Sequence, residues 1–329
     1  MTLPRLLVLS LGGTITMTPN ASGGGIAPTL GAADLVAVIP GLAAIADIEA
    51  RSPLKLPSPS LTLEHISAVA AEIRAAFDAG FDGAVVIQGT DTIEETAFAL
   101  DVLVRDDKPI VVTGAMRGPQ QPGAEGPANI LAASIVAASA RARGLGTLVV
   151  LNDEIHAARF VRKTHTALPS AFVSANSGPL GLVAEGRVRL FTRVAPAVLP
   201  ELAGEGEVPA VALLKIAMGD DGRLIRAAPS LGFAGLALEG MGAGHVPGDI
   251  ADIVADVAAQ IPVVLATRTL NGPVFARTYG YPGSEIDLLA RGAISAGLLQ
   301  GPKARILLAL CLRAGLSSPA IAKAFAAYG

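Results

Sequence analysis

The sequence predicts an α/β protein with a larger first domain and a smaller second one. Three observations carry this expectation. Short, branched apolar runs alternate with helical stripes in steps of about 25 to 30 residues. Several of these runs stop abruptly at glycine- or threonine-bearing turns, as strands buried on both faces of a parallel sheet do. One stretch rich in Pro, Gly and Glu, residues 194–209, breaks the alternation, and at 329 residues the chain is longer than most single domains.

Taken in order, Leu6 to Leu9 reads as the first strand. Glu64 to Ala79 carries Ile66, Val69, Ile73 and Phe77 at helical spacing, with Gly80 as its stop. Ala84 to Ile87 is the next strand, and Thr92 to Val104 places Ile93, Ala97, Leu100 and Val104 on one helical stripe. Strand Pro109 to Thr113, an alanine-rich helix Asn129 to Ala142 and strand Thr147 to Leu151 follow. Strand, helix, strand at this spacing is the pattern of parallel α/β layers. Beyond 194–209 come strands Val211 to Ile216, Gly235 to Leu238 and Pro262 to Thr267, with helices Gly248 to Gln260 and Gly301 to Leu312. The predicted organisation is therefore 1–193, a linker at 194–209, and a second α/β layer at 210–329.

Composition narrows the partners. Hydrophobic residues make up 51% of the chain and charged residues 16%, and mean hydropathy is +0.55, which describes a well-buried globular chain. The longest apolar stretches, such as Ile306 to Leu312, fall short of the roughly 20 residues that a membrane span needs. The first apolar run leads straight into Gly12-Gly13, without the long core and cleavage site of a signal peptide, and predicts a cytoplasmic protein. A net charge of −3 and 4% aromatics supply neither a basic groove nor base-stacking side chains, so a small molecule is expected rather than nucleic acid. The single cysteine, Cys311, reads as helix core. The four histidines are scattered, without the spacing of metal ligands.

Two threonine turns carry the chemistry: Leu11-Gly12-Gly13-Thr14-Ile15-Thr16 and Gly89-Thr90-Asp91-Thr92, each after an apolar run. Ligands of parallel sheets collect at the carboxyl ends of strands, so both hydroxyls can face one crevice. Each motif also has a purely structural reading. Gly-Gly-Thr suits a strand-to-helix turn with a capping hydroxyl. Asp91 and Glu94 have the spacing of a capping box. Lys163, in Phe160-Val161-Arg162-Lys163-Thr164-His165-Thr166, suits a solvated surface. Set against these, a carboxylate beside Thr90 can bind an ammonium or polarise a hydroxyl, and a desolvated lysine nearby can act as a base.

The blocks Leu11-Gly12-Gly13-Thr14-Ile15, Gln88-Gly89-Thr90-Asp91-Thr92-Ile93-Glu94-Glu95-Thr96, Gly114-Ala115-Met116-Arg117, Lys163-Thr164-His165-Thr166, Asn176-Ser177-Gly178-Pro179-Leu180-Gly181 and Gly301-Pro302-Lys303-Ala304-Arg305 run nearly end to end. In these the sequence resembles the bacterial-type L-asparaginase/glutaminase family, the first two blocks being the most specific. The resemblance implies a flavodoxin-like larger domain joined to a smaller α/β domain. It implies a homotetramer whose sites are shared within intimate subunit pairs. It further implies that Thr14 attacks a side-chain amide to give an acyl-enzyme, with Thr90, Asp91 and Lys163 positioning water and moving protons. Ser58 would contact the substrate α-carboxylate, and Asp91 with Glu285 of a neighbouring subunit would hold the α-ammonium. No cofactor is implied.

The chain leaves the family pattern at three polar positions. A loop tyrosine is replaced by Ile26, in Gly25-Ile26-Ala27-Pro28, a glutamine after the serine by Pro59, and an asparagine by His245. Loss of a hydrogen-bonding group changes selectivity strongly. A D-amino-acid amide, an N-substituted amide or a cyclic amide therefore stands beside L-asparagine as substrate. A non-catalytic amino-acid-binding protein and an ammonia-supplying amidotransferase subunit are the readings of other classes. Tyr279 or Tyr281, close before Glu285, is a candidate to replace the missing phenol; packing in a turn or interface is the alternative.

Overall fold

The computed structural model describes residues 2–13, 15, 17–19, 26–28, 31–37, 39–202 and 206–328, with backbone alone at 17–19 and 26–28. The chain divides into two compact units, Met1–Pro196 and Ala197–Gly329.

The first unit opens with β1 (Arg5–Ser10), a small antiparallel hairpin of β2 (Met17–Pro19) and β3 (Ile26–Pro28), helix α1 (Ala32–Ala37) and β4 (Asp47–Arg51). Helix α2 (Leu63–Asp78) begins with a reciprocal cap between Thr62 and His65 and buries Ile66, Val69, Ile73 and Phe77. Strand β5 (Gly83–Ile87), helix α3 (Ile93–Leu103), strand β6 (Ile110–Thr113), helix α4 (Gly126–Ala137) and strand β7 (Thr147–Leu151) continue the alternation. Strands β8 (Glu154–Ala157), β9 (Arg162–Lys163), β10 (Phe172–Val173), β11 (Gly181–Ala184) and β12 (Arg187–Leu190) complete the unit.

Eight strands form one sheet in the order β12-β11-β8-β7-β6-β5-β1-β4. Its parallel part, β4-β1-β5-β6-β7, has the flavodoxin-like order. Residues of β1, β5, β6 and β7 are buried almost throughout, which explains their unbroken apolar runs. After β1 the chain passes to β4 on one side and thereafter builds on the other side. The topological switch therefore lies between β1 and β5, and a crevice opens at their carboxyl ends.

In the second unit β13 (Val211–Lys215), β14 (Gly235–Gly240), β15 (Val263–Thr267) and β16 (Ile294–Ser295) form a parallel sheet in sequence order. Its helices are α5 (Arg223–Ala227), α6 (Ala251–Ala258), α7 (Glu285–Ala290), α8 (Gly301–Arg313) and α9 (Ser318–Ala326). Helix α8 packs on β13, β14 and β15. Cys311 lies fully buried in α8, and burial pushes its thiol up to about 12.

Three elements differ from the sequence expectation. The alanine-rich helix starts earlier, at Gly126, because Pro127 suits the first turn, where no N–H partner is needed. It stops at Ala137, and Ser139 caps a separate 3-10 turn, Ala140–Ala142. The helix expected over Gly248 to Gln260 divides into a 3-10 turn, Gly248–Ile250, and α6. Finally, the parallel layers carry an antiparallel wing, β8-β11-β12. Asn152 and Asp153, at φ 52° and 62°, form the tight turn that reverses β7 into β8. Glu185 and Gly186, at φ 53° and 70°, do the same between β11 and β12.

Candidate active site

The crevice begins with backbone contact between two turns. Leu11 N–H donates to Ile87 O at 2.8 Å, which ties the end of β1 to the end of β5. Gly12 and Gly13 then take φ of 111° and 93°, conformations that side chains disfavour. A Cβ on Gly13 would lie 2.0 Å from Gly89 N and 2.2 Å from Gly89 Cα. The two glycine turns are thus pressed together with no room for a side chain. Thr14, the residue after Gly13, lies outside the described residues.

Thr90 and Asp91 follow Gly89 in a 3-10 turn, Thr90–Thr92, that leads into α3. Thr90 is buried, and Lys163 Nζ donates to its Oγ1 at 2.9 Å. The same Nζ lies 2.6 Å from Asp91 Oδ1, while the Asp91 side chain is 58% exposed. One ammonium thus bridges a buried hydroxyl and a solvent-facing carboxylate. Lys163 is only 16% exposed, and its backbone is fixed twice. Its N–H donates to Glu94 Oε2 at 2.9 Å, and β9 pairs with β10 at Lys163–Phe172.

Ser58 closes the cluster. It is buried, its Oγ accepts from Asp91 N–H at 3.3 Å, and its carbonyl accepts from Thr92 Oγ1 at 3.1 Å. Gly89 is needed here as well, because a Cβ there would lie 2.6 Å from Ser58 Oγ. Pro59, the next residue, is exposed. Beneath the turn, buried Gln88 donates from Nε2 to Gly89 O and Thr92 Oγ1, both at 3.1 Å. Asn129 Nδ2 holds Gly114 O at 2.9 Å, and Asn129 Oδ1 accepts from Asn152 N–H at 2.9 Å, stitching the ends of β6 and β7.

Ser58, Thr90, Asp91 and Lys163 are therefore brought together in the first unit. Their structural readings give way to specific contacts. The N-cap of α3 is Thr92 without a side-chain cap, and Asp91 and Glu94 both engage Lys163 instead. Gln88 and Asn129 are supporting residues with no site role in the sequence reading, and Glu94 stood out there only as a capping partner of Asp91. The signal for Glu94 was present in its three-residue offset from Asp91, which resembles a helix cap.

Glu285 belongs to a second cluster, in the second unit. It is fully buried, with Oε1 accepting from Thr278 N–H at 2.9 Å and Tyr279 N–H at 2.8 Å. Its Oε2 lies 3.0 Å from His245 Nε2, and His245 Nδ1 lies 2.9 Å from the Tyr281 hydroxyl. Burial alone would raise the Glu285 carboxyl. The N–H groups of Tyr279, Thr278 and Glu285 itself, together with His245, outweigh it and hold the group below its ordinary range. Among the described residues no group of three or more His, Cys, Asp or Glu side chains could hold a metal ion.

The first unit thus sets a hydroxyl, an ammonium and a carboxylate together beside the switch point of a flavodoxin-like sheet. The family model described as asparaginase, N-terminal, matches residues 5–196, and that of the glutaminase/asparaginase C-terminal domain matches residues 210–325. The chain belongs to the asparaginase family of amidohydrolases. It is 35% identical to an L-asparaginase of Bacillus licheniformis over 310 residues, 94% of this chain and 95% of that one. It is 36% identical to a probable L-asparaginase of Deinococcus radiodurans over 341 residues, 98% of this chain and 97% of that one. A crystal structure of a probable cytoplasmic L-asparaginase from Campylobacter jejuni superposes with a TM-score of 0.85 at 30% identity, covering 98% of this chain and 99% of that one.

Proposed function

We propose that this protein is a cytoplasmic amidohydrolase that converts L-asparagine to aspartate and ammonia through a threonine acyl-enzyme. The observation that carries the reading is the Lys163 ammonium held between Thr90 Oγ1 and Asp91 Oδ1, at a turn packed backbone to backbone against the one bearing Thr14. In this reading Thr14 attacks the side-chain carbonyl, the C–N bond breaks and ammonia leaves. Water, oriented by Thr90 with Lys163 and Asp91, then cleaves the ester. Ser58 contacts the α-carboxylate, and Asp91 takes the α-ammonium, with Glu285 of a second copy adding negative charge to that end of the site. The assembly is a homotetramer built from pairs that share their sites.

Ammonia release from purified protein across a panel of amides tests the substrate. Lys163→Met should lower kcat about 10²- to 10⁴-fold, the range of a lost proton-transfer or positioning group. Mass spectrometry of protein trapped with a reactive amide analogue should map the adduct to Thr14, and an adduct on neither Thr14 nor Thr90 would reject the acyl-enzyme. A second reading keeps the chemistry and changes the amide. It is favoured by Pro59 and Ile26, apolar residues at sequence positions where the family pattern has polar ones. Turnover of a D-, N-substituted or cyclic amide in preference to L-asparagine would establish it. Asparagine binding without ammonia release would instead mark a binding protein.

A further inference from the structure

Hydrolysis through a threonine needs a group that takes the hydroxyl proton and returns it to the leaving nitrogen. Outside the Thr90 cluster, the second unit holds a hydrogen-bonded set of side chains whose chemistry suits that task. Tyr281, His245 and Glu285 form a continuous hydrogen-bonded line: phenol oxygen to Nδ1 at 2.9 Å, then Nε2 to carboxylate at 3.0 Å. The direction of each bond follows from the carboxylate. Glu285 can only accept, so His245 Nε2 carries the proton, Nδ1 presents a lone pair, and the Tyr281 hydroxyl donates to it.

The line is rigid at its inner end and open at its outer end. Glu285 is 0% exposed, while Tyr281 is 48% exposed. The segments that bear these residues are locked together: Val246 N–H donates to Gly283 O at 2.9 Å, and a Cβ on Gly283 would lie 2.4 Å from Val246 O. The Tyr279 ring meets His245 edge-on at 5.0 Å between centroids, so the imidazole is clamped from the side as well. A phenol that merely packed in a turn would need no imidazole with a buried carboxylate behind it.

We propose that Tyr281 is the phenol that takes the proton from the attacking threonine of a second copy of the chain, that His245 receives the phenol proton, and that Glu285 positions the imidazole and balances its charge. This rests on the shared-site reading of the hydrolase. The protons balance at each step. As the threonine oxygen bonds to the amide carbon, its proton passes to the Tyr281 oxygen while the phenol proton passes to His245 Nδ1, leaving imidazolium against Glu285. When the C–N bond breaks, the imidazolium returns its proton through Tyr281 to the nitrogen, which leaves as ammonia. Water then adds to the ester by the same relay, and the released threonine oxygen recovers the proton. The line replaces the hydroxyl that Ile26 lacks.

Kinetics of Tyr281→Phe, with the ring and its packing kept, should show kcat lowered about 100-fold or more and KM changed less than about threefold. His245→Gln, which can still donate to Glu285, should show the same split, since it cannot carry the proton onward. Tyr281→Phe and Lys163→Met are each expected to be nearly inactive. Co-expressed at random, they should regain about a quarter of wild-type turnover, because half the pairs are mixed and one of two sites in each mixed pair is intact. Unchanged turnover in Tyr281→Phe overturns this inference and leaves the hydrolase reading standing. Loss without recovery in the mixture also overturns it. A wild-type protein that releases no ammonia overturns the hydrolase reading and this inference with it.

Discussion

His156 is the residue whose burial leaves the clearest trace in solution behaviour. It is 1% exposed in β8, with Nδ1 2.9 Å from Ser174 Oγ, and burial pushes its pKa down to about 4. In the unfolded chain a histidine titrates near about 6.5. The folded value is the lower one, so between these values the unfolded state binds the extra proton, and stability falls as pH falls through that window. The full shift corresponds to about 3 kcal/mol, a ceiling reached near pH 4. Urea melts at intervals from pH 7.5 to 4.5 should show the decline, and His156→Gln should flatten it. Two depressed carboxyls leave a separate trace. Glu285 is buried yet held down by N–H donors and His245, and Asp287, only partly buried, is held down by Gly283 N–H and Arg291. Their stabilisation is present above the ordinary carboxylate range and is lost as pH falls through that range toward the depressed folded values, so it touches only the acid end of the histidine window.

Between elements, the contact that matters most is the one between the turns after β1 and β5. Gly13→Ala would combine a φ of 93° with a Cβ 2.0 Å from the Gly89 backbone, where no flexible side chain can yield. We expect a loss of roughly 2–6 kcal/mol and, under the proposed function, a collapse of ammonia release, because the glycine turn before Thr14 would be forced away from the turn that bears Thr90. Gly41→Ala is the control: its φ is 80° but nothing lies within 4 Å, so only the backbone penalty of about 1–2 kcal/mol should appear in a thermal melt. Much of this architecture was legible in the sequence, because strands buried on both faces read as unbroken apolar runs and their C-terminal turns carry the glycines and hydroxyls. Strand β4, Asp-Ile-Glu-Ala-Arg, was not, since its half-exposed edge position leaves every other residue polar. The wing strands β8, β11 and β12 are only four residues each, too short for a period to emerge. At the site, Thr90, Asp91 and Lys163 stood out by residue type, whereas the pairing of His245 with Glu285 and Tyr281 spans a separation of up to 40 residues that no local spacing encodes.

At the scale of the whole molecule, the two clusters impose a testable dependence on assembly. The first unit supplies Thr90, Asp91, Lys163 and Ser58, and the second supplies Tyr281, His245 and Glu285. If a complete site takes its second cluster from another copy, a lone 33.1 kDa chain holds two half-sites and no whole one. Light scattering at high concentration should then give about four times the chain mass, as expected for paired dimers of a homo-oligomer. Specific activity should stay constant on dilution until the pairs dissociate and then fall together with the scattering mass, because a shared site makes turnover depend on the dimer. Added inactive Lys163→Met protein should rescue diluted wild type by re-forming pairs that contain one intact site. Full specific activity in a sample that scatters as a single chain would show that one copy suffices, and would remove the shared site while leaving the proposed role of Lys163 with Thr90 and Asp91 to be tested by Lys163→Met alone.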